Sequence, residues 1–314
     1  IGHAYLFVGE EGIGKMLMAL QFAQALSCEA PPAIGAPDSC GQCRACLQIT
    51  SETYPDLLVI QSEDDKANPQ IKIEQVREIE RHIIYRPLFN SRKICLINDA
   101  DRLTPSAANA FLKTLEDPPE HSLFVLITSR PMKLLATVRS RCLTLRFLPA
   151  SSLQVEGALA LKQALPSKDA KFLSRVSGNR IGVALQADIA QLEEHYLQFF
   201  KLFADPSGFN ITEVLNTAEQ ISKAESCTDI VSWLSHGLRD LLLASTGAHE
   251  DSLLHQSHTA QIQEIVAGID LDQLCGLCES LYALEQASIR NLNTQLVLEY
   301  FLLRLQQTIH RHAA

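Results

Sequence analysis

Short apolar runs alternate with segments of helical periodicity in the first half of the chain. Residues 72–84 repeat apolar side chains at helical spacing, and 16–26 also have a helical pattern. Thr104 followed by Pro105 suits a helix start, and that helix is expected to end near Glu116. Strands that alternate with helices predict a parallel sheet covered on both faces. The strand-length apolar runs are 4–8, 57–60, 93–97, 123–128 and 143–147.

The strand pattern stops at about Leu148, and the rest of the chain is helical in pattern. Residues 151–188 predict three short helices, and the segment after them predicts a packed helical bundle. Breaks in the bundle are expected at 205–208, Gly247 and Gly268. The fold class is therefore α/β followed by all-α. The predicted domains are an α/β domain over 1–147, a three-helix domain over 148–189 and a helical bundle over 190–314.

The composition fits a globular protein, because 46% of the 314 residues are hydrophobic and 20% are charged. No apolar run approaches the roughly 18 residues of a membrane span, so we expect a soluble protein. The net charge of −9 is uneven, since residues 191–314 hold 6 Lys or Arg against 16 Asp or Glu. This acidity disfavours nonspecific DNA binding by the chain alone. The chain starts at Ile1, directly before a strand, so part of the natural N-terminus is expected to be missing.

A glycine-rich loop lies between the first predicted strand and the first predicted helix. Gly9, Gly12, Gly14 and Lys15 follow the phosphate-loop pattern G-x-x-x-x-G-K. Such a loop turns its N–H groups inward, and its lysine reaches the phosphates of a nucleotide. Met16 stands where Ser or Thr would ligate Mg²⁺, and a thioether is a poor ligand for that hard cation. A phosphate loop that no longer binds nucleotide is the equally weighted alternative.

The apolar strand 94–97 ends in a second altered motif. Asn98 stands where the carboxylate that orients the metal belongs, and Asp99 stands where a water-activating glutamate belongs. Asn is neutral, and Asp is one methylene shorter than Glu. Because the defects at Met16, Asn98 and Asp99 fall in one nucleotide site, ATP hydrolysis by this chain is not expected, and binding of ATP and Mg²⁺ is left open.

Four of the nine cysteines fall within nineteen residues, at 28, 40, 43 and 46. Four thiolates with this spacing predict a closed tetrahedral zinc site, and a closed site indicates a structural role. The set is Cys28, Cys40, Cys43 and Cys46. An iron–sulfur cluster is the rival interpretation, although ferredoxins add a close fourth cysteine followed by proline. Four unrelated buried thiols are a third, weaker interpretation.

Three arginines follow the strand at 123–128. Arg130, Arg139 and Arg141 are more positive charges than packing requires. An arginine at the edge of a nucleotide-binding domain can complete the phosphate site of a neighbouring subunit in trans, as an arginine finger. The alternative is a solvated arginine that caps the preceding helix.

These motifs occur in one order along the chain, and that order resembles a known family. A phosphate loop, a four-cysteine module and an altered acidic strand precede the strings at 109–119 and 140–142 (Ser-Arg-Cys). The chain is similar to the clamp-loader branch of the AAA+ proteins, and within it to the delta-prime subunits of bacterial DNA polymerase III. The likeness in motifs covers about residues 1–147. The helical remainder fits the family's lid and collar domains by layout only.

The resemblance implies a place in a hetero-pentameric ring with the ATPase tau/gamma subunits and the delta subunit. That ring loads the sliding clamp onto primer-template DNA in the DNA polymerase III holoenzyme, in the cytoplasm at the nucleoid and without a membrane. This subunit is then expected to be a non-hydrolysing stator whose Arg141 enters the adjacent ATP site. Thr128 matches a sensor position. Arg180 lies near a second sensor, but its offset from Gly178 differs, so that role does not transfer.

Two other functions are compatible with the same residues. The chain could be an active AAA+ ATPase of the same branch whose phosphate loop tolerates Met16. It could instead be a stand-alone zinc-containing helper in DNA repair or recombination, which would bind DNA tightly as a monomer. The acidic charge balance argues against this last function.

Overall fold

A computed structural model of the protein describes residues 2–30, 39–62, 69–89, 92–203, 211–289 and 293–310. The strands are β1 (Ala4–Val8), β2 (Leu57–Ile60), β3 (Lys93–Ile97), β4 (Ser122–Thr128) and β5 (Leu143–Arg146). The helices up to residue 186 are α1 (Lys15–Ser27), α2 (Arg44–Thr50), α3 (Ile73–Ile84), α4 (Pro105–Glu116), α5 (Ala136–Arg139), α6 (Ser152–Gln163), α7 (Ser167–Val176) and α8 (Ile181–Gln186). The later helices are α9 (Ile189–Phe203), α10 (Ile211–Ala224), α11 (Cys227–Ser245), α12 (Thr259–Ala267), α13 (Leu271–Ile289) and α14 (Thr294–His310).

The five strands form one parallel sheet in the order β2-β3-β4-β1-β5. β3 and β4 lie inside the sheet and are buried along their whole length, as expected for strands covered on both faces. All five predicted strand runs are present. This confirms the prediction of a parallel α/β domain followed by helices.

Alternating side chains of β1, β2, β3 and β4 pack into two separate layers of core, one on each face of the sheet. Leu6 packs on the side of the sheet that carries α3, α4 and α5, whereas Phe7 packs on the side of α1 and α2. The helical residues buried in the first layer include Val76, Ile79, Ile83, Phe111, Leu115 and Val138. Those in the second layer include Ala19, Ala23, Ala45 and Ile49. Packing against these helices therefore holds in place the ends of the strands, where the candidate site residues lie.

Helix α4 begins and ends as its sequence predicts. The Thr104 side chain accepts a hydrogen bond from the Ala107 N–H at 3.2 Å, and Pro105 is the first helical residue. A hydroxyl at this position satisfies an N–H that the helix itself leaves unpaired. The cap places α4 directly after the turn that follows β3.

We expect Thr104→Ala to lower the free energy of unfolding by about 1 kcal/mol, because it removes this cap. Chemical denaturation followed by circular dichroism measures the change. Asn109→Ala is the control, since Asn109 is an exposed polar residue of the same helix, whereas the Ser106 hydroxyl lies 3.1 Å from the Thr104 hydroxyl and is part of the cap. An equal loss in both variants would contradict the capping role.

The chain forms two compact units, residues 1–158 with 177–185 and residues 159–176 with 186–314. The three predicted short helices are present as α6, α7 and α8. Of these, α7 belongs to the second unit, and α8 belongs to the first unit except at its last residue. The domain boundaries at 147/148 and 189/190 stay a prediction.

The second unit is helical and has its own core. Its largest buried side chains are aromatic and aliphatic residues of α9, α11, α13 and α14, including Phe199, Trp233, Leu277, Phe301 and Leu302. The predicted breaks at Gly247 and Gly268 are confirmed, since they follow α11 and α12. The predicted break at 205–208 lies outside the described residues. Helical periodicity alone was enough to identify this unit as a bundle.

Candidate functional site

The phosphate loop connects β1 to α1, as its sequence predicts. Gly12 and Gly14 have φ angles of 78° and 95°, in the left-handed region that favours glycine. Gly14 is also the N-cap of α1. The first helix therefore starts at Lys15, with its N-terminus at the loop, which is the arrangement of a nucleotide-phosphate site.

Lys15 is folded back onto its own loop. Its Nζ donates to the carbonyl oxygens of Gly9 at 2.7 Å and Glu10 at 2.5 Å, and the residue is only 7% exposed. Burial lowers the pKa of Lys15, whereas the nearby carboxylates of Glu11 and Asp99 act in the opposite direction. The ammonium group that would contact phosphate is thus engaged with the backbone of the loop.

The start of α8 lies against the same loop. The Gly182 N–H donates to the Gly12 carbonyl oxygen at 2.7 Å. A Cβ added to Gly12 would meet Val183 Cγ2 at 2.6 Å, and one added to Gly182 would meet the Gly12 oxygen at 2.9 Å. Both glycines are therefore required for this close approach. Arg180, just before α8, donates from Nε to the Ser177 carbonyl oxygen at 2.8 Å.

Met16, Asn98 and Asp99 offer little to a magnesium ion. Met16 is half-buried and packs against the core layer of α1 and α2. The Asn98 N–H continues the sheet by donating to the Ile60 carbonyl oxygen at 2.8 Å. Asp99 has a left-handed φ of 50°, and its Oδ2 lies 3.6 Å from Nε of Arg102. Burial raises the pKa of Asp99, which disfavours its charged form.

Thr128, the predicted sensor residue, belongs to a network that the sequence did not reveal. Its buried hydroxyl donates to Asp101 Oδ1 at 2.6 Å, and Arg130 Nε lies 3.0 Å from Asp101 Oδ2. The Arg130 N–H also donates to the Thr128 hydroxyl at 2.9 Å. At the other end of the residue, the Gly9 N–H donates to the Thr128 carbonyl oxygen at 3.3 Å. The only available signal was an acidic residue two positions after Asp99.

Arg141 lies at the turn between α5 and β5. Its Nη2 donates to Glu116 Oε1 at 2.6 Å, and its Nη1 donates to the Thr137 carbonyl oxygen at 2.9 Å. The Arg141 side chain is 34% exposed and the Glu116 side chain 54%. The contact with Thr137 is the one expected of an arginine that caps the preceding helix. The partial exposure leaves the guanidinium accessible to a neighbour, and Glu116 is a partner that sequence reasoning missed.

The four predicted metal ligands meet at one point. The sulfurs of Cys28, Cys40, Cys43 and Cys46 all lie within 4.8 Å of one another. Two of the sulfur–sulfur distances are 4.0 Å (28 to 43) and 3.9 Å (40 to 46). Zinc–sulfur bonds of about 2.3 Å in a tetrahedron require about 3.8 Å between sulfurs. Four thiolates at this spacing therefore fit zinc.

Backbone N–H groups support the same cluster. The Cys40 N–H donates to the sulfur of Cys28 at 3.4 Å, and the Cys43 N–H donates to that of Cys40 at 3.3 Å. A hydrogen bond from the Glu29 backbone lowers the pKa of Cys43 to about 6, whereas burial raises that of Cys46 to about 12. Cys46 lies in α2, whose Ala45 and Ile49 are part of the core, so the cluster is attached to the sheet.

The sheet order, the phosphate loop after β1 and the acidic turn after β3 define an AAA+ P-loop domain. The family model described as "DNA polymerase III, delta subunit" matches residues 1–151. The model described as "DNA polymerase III, delta subunit, C terminal" matches residues 190–307. The chain belongs to the family of DNA polymerase III delta-prime clamp-loader subunits.

Two relatives in this family are delta' subunits of DNA polymerase III. That of Pseudomonas aeruginosa is 36% identical over 175 residues, which are 55% of this chain and 51% of that protein. That of Bacillus subtilis is 26% identical over 311 residues, which are 98% of this chain and 92% of that protein. A solved gamma-subunit-related protein from Thermotoga maritima is 18% identical, covers 98% of this chain and 96% of its own, and has a TM-score of 0.40.

Membrane insertion has no support among the helices. Within the described ranges, none combines the length and the apolar character that crossing a bilayer requires.

Proposed function

We propose that this chain is the non-hydrolysing stator of a DNA polymerase III clamp loader. It would assemble with tau/gamma and delta subunits in a hetero-pentameric ring in the cytoplasm, at the nucleoid. The ring would place the sliding clamp on primed DNA. The family supports the assembly, and the closed phosphate loop supports the absence of hydrolysis.

The state of Lys15 is the observation that carries the proposal. A nucleotide phosphate would have to displace both hydrogen bonds from Lys15 to the loop, to Gly9 and Glu10. Hydrogen bonds that involve a charged group contribute about 1.5–3 kcal/mol each. Phosphate binding would also have to accommodate the Gly182 contact with Gly12. The loop therefore has internal partners in the positions where an active subunit would hold phosphate.

Hydrolysis would additionally need a metal ligand and a group that activates water. Met16 is packed against the core, and Asn98 is uncharged. Asp99 is turned toward Arg102, and its burial disfavours the carboxylate that would accept a proton. Each of the three positions departs from what magnesium-dependent hydrolysis requires.

Arg141 would act on the ATP site of the adjacent subunit. Its side chain is partly exposed, and its ion pair with Glu116 is also partly exposed. A pair of this kind contributes about 0–1 kcal/mol, so exchanging Glu116 for a phosphate would cost little. A broken nucleotide site and a usable arginine are compatible in one subunit, because they serve different ATP molecules.

The acidic helical unit would make the protein contacts of the ring. Residues 191–314 hold 6 Lys or Arg against 16 Asp or Glu. Such a surface repels DNA, and it can select protein partners by charge complementarity. Contacts with the clamp and with DNA would then belong to the complex as a whole.

We expect purified chain to show only background ATP hydrolysis, and Lys15→Ala to leave that value unchanged. Met16→Thr alone should not create activity, because Asn98, Asp99 and the closed loop are unaffected. Release of inorganic phosphate from ATP with Mg²⁺ measures this. Turnover that Lys15→Ala abolishes would instead favour an active ATPase of the same family.

A further inference from the structure

The second unit contains a small basic cavity that the proposed function does not use. Its volume is about 110 Å³, and α7, α9 and the segment 254–258 line it. Five of its lining side chains can carry positive charge: Lys168, Lys171 and Arg175 on α7, together with His255 and His258. The surrounding unit carries a net negative charge, whereas most of the ionisable side chains that line this cavity are basic.

His255 is held in one orientation at the wall of this cavity. It is 5% exposed, and its Nδ1 lies 3.2 Å from Oδ2 of Asp240, which is fully buried. The same carboxylate accepts the backbone N–H groups of Leu254 at 2.9 Å and His255 at 3.0 Å, and the Tyr196 hydroxyl at 3.1 Å. The Tyr196 ring stacks on the imidazole with 3.3 Å between centroids. A carboxylate at Nδ1 fixes the tautomer with the proton on that nitrogen.

The opposite ring nitrogen of His255 is left for a ligand. In the part of the chain that the structure describes, no hydrogen bond to Nε2 is found, and His255 lines the cavity. Burial lowers the pKa of His255, with the Asp240 and Glu193 carboxylates opposing and His258 adding to the shift. A neutral imidazole with its proton on Nδ1 offers Nε2 as an acceptor.

The three α7 cations are also not neutralised by the protein. Among the described residues, no carboxylate oxygen lies within 4.0 Å of the cationic nitrogens of Lys168, Lys171 or Arg175. Arg175 makes one long contact, from Nη1 to the Leu253 carbonyl oxygen at 3.5 Å. Two acidic residues, Asp169 and Glu193, also line the cavity. Three cationic side chains, of which Lys168 and Lys171 are exposed, against two carboxylates leave a net positive site.

We propose that this cavity binds a phosphate group in its protonated, monoanionic form. The phosphate oxygens would accept from Lys168, Lys171 and Arg175, which are suited to this by charge and by the guanidinium fork. The P–OH group would donate to Nε2 of His255, which can accept a hydrogen bond in this tautomer. A phosphate fits the volume, and it supplies acceptors and at least one donor in a single group: the monoanion has one P–OH in a terminal phosphate and two in free phosphate. Free phosphate and the terminal phosphate of a nucleotide or oligonucleotide share this chemistry.

Titration of the full chain with inorganic phosphate at constant ionic strength, followed by ³¹P NMR and calorimetry, tests the site. We expect one saturable site that Arg175→Gln and Lys171→Ala each weaken at least five-fold. Lys201→Ala is the matched control, since Lys201 is an exposed lysine of α9 that does not line the cavity. Lys15→Ala should also retain binding, which separates this site from the phosphate loop.

Removing a negative charge from the cavity provides a second test. Glu193→Gln should tighten phosphate binding, because it removes a carboxylate from the cavity. Binding that is absent, or equal in Arg175→Gln and Lys201→Ala, would overturn the proposal. An oligonucleotide with a 5′-phosphate is then compared with its 5′-hydroxyl form. If the 5′-phosphorylated oligonucleotide binds and the 5′-hydroxyl form does not, a nucleic-acid end is identified as the source. If inorganic phosphate binds and neither oligonucleotide does, the ligand is the free ion.

Discussion

Arg141→Ala should lower the DNA-dependent ATP hydrolysis of the assembled clamp loader while leaving the complex intact. An arginine finger stabilises charge on the transferring phosphate, and its loss costs about 10³-fold or more in turnover at the site it serves. In the proposed ring, sites completed by other subunits would keep their own arginine, so total hydrolysis should fall by the share of one site. Steady-state phosphate release by the reconstituted complex, with primed DNA present, measures the effect.

Arg146→Ala is the control for this experiment, because Arg146 is an exposed arginine of β5 in the same domain. It removes the same charge and should leave hydrolysis unchanged. Size-exclusion chromatography checks that both variant complexes contain all subunits. Unchanged turnover by an intact Arg141→Ala complex would reject the finger and leave Arg141 as the cap of α5 that its Thr137 contact describes.

Removing one ligand of the cysteine cluster should release the metal and loosen the module around it. The purified protein should contain about one equivalent of zinc, and Cys43→Ser should contain none. A closed four-thiolate site contributes folding free energy directly, since the unfolded segment cannot hold the ion in the same way. The core residues of α2 would lose their attachment, so thermal unfolding should begin several degrees lower.

Cys275→Ser is the matched control, since Cys275 is an exposed thiol on α13 and no member of the cluster. It should retain zinc and the original melting curve. Elemental analysis and circular dichroism provide the two measurements. Iron in place of zinc would support the iron–sulfur interpretation instead. Zinc that persists in Cys43→Ser would exclude Cys43 as a ligand.

Local patterns in the sequence were sufficient to predict the fold and the cysteine cluster. A buried parallel strand has a continuous apolar run, and an N-cap needs a hydroxyl just before a helix start, so β3 and Thr104 are visible in a few residues. The cysteine spacing works in the same way, because three of the four ligands lie on one short knuckle. In each case the information is contained in neighbouring residues.

Contacts between distant parts of the chain could not be predicted. The Gly12–Gly182 hydrogen bond joins β1's loop to the start of α8, and no periodicity connects them. The Glu116–Arg141 pair and the Asp101 network depend on how helices and strand ends meet in space. The hydrogen bonds from Lys15 to its own loop could not be predicted either, since the sequence motif is the same in a loop that holds phosphate.

A phosphate loop that is filled by Lys15 and by the start of α8 would affect how the stability of the protein responds to the ATP concentration in the cell. A protein that binds a ligand only when folded gains stability by mass action, about 4 kcal/mol at a thousand times the dissociation constant. If Lys15 and α8 keep the loop occupied, as proposed above, the subunit would gain no such stability from ATP and would lose none when the ATP concentration falls. Its shape would be the same in a starved cell as in a growing one.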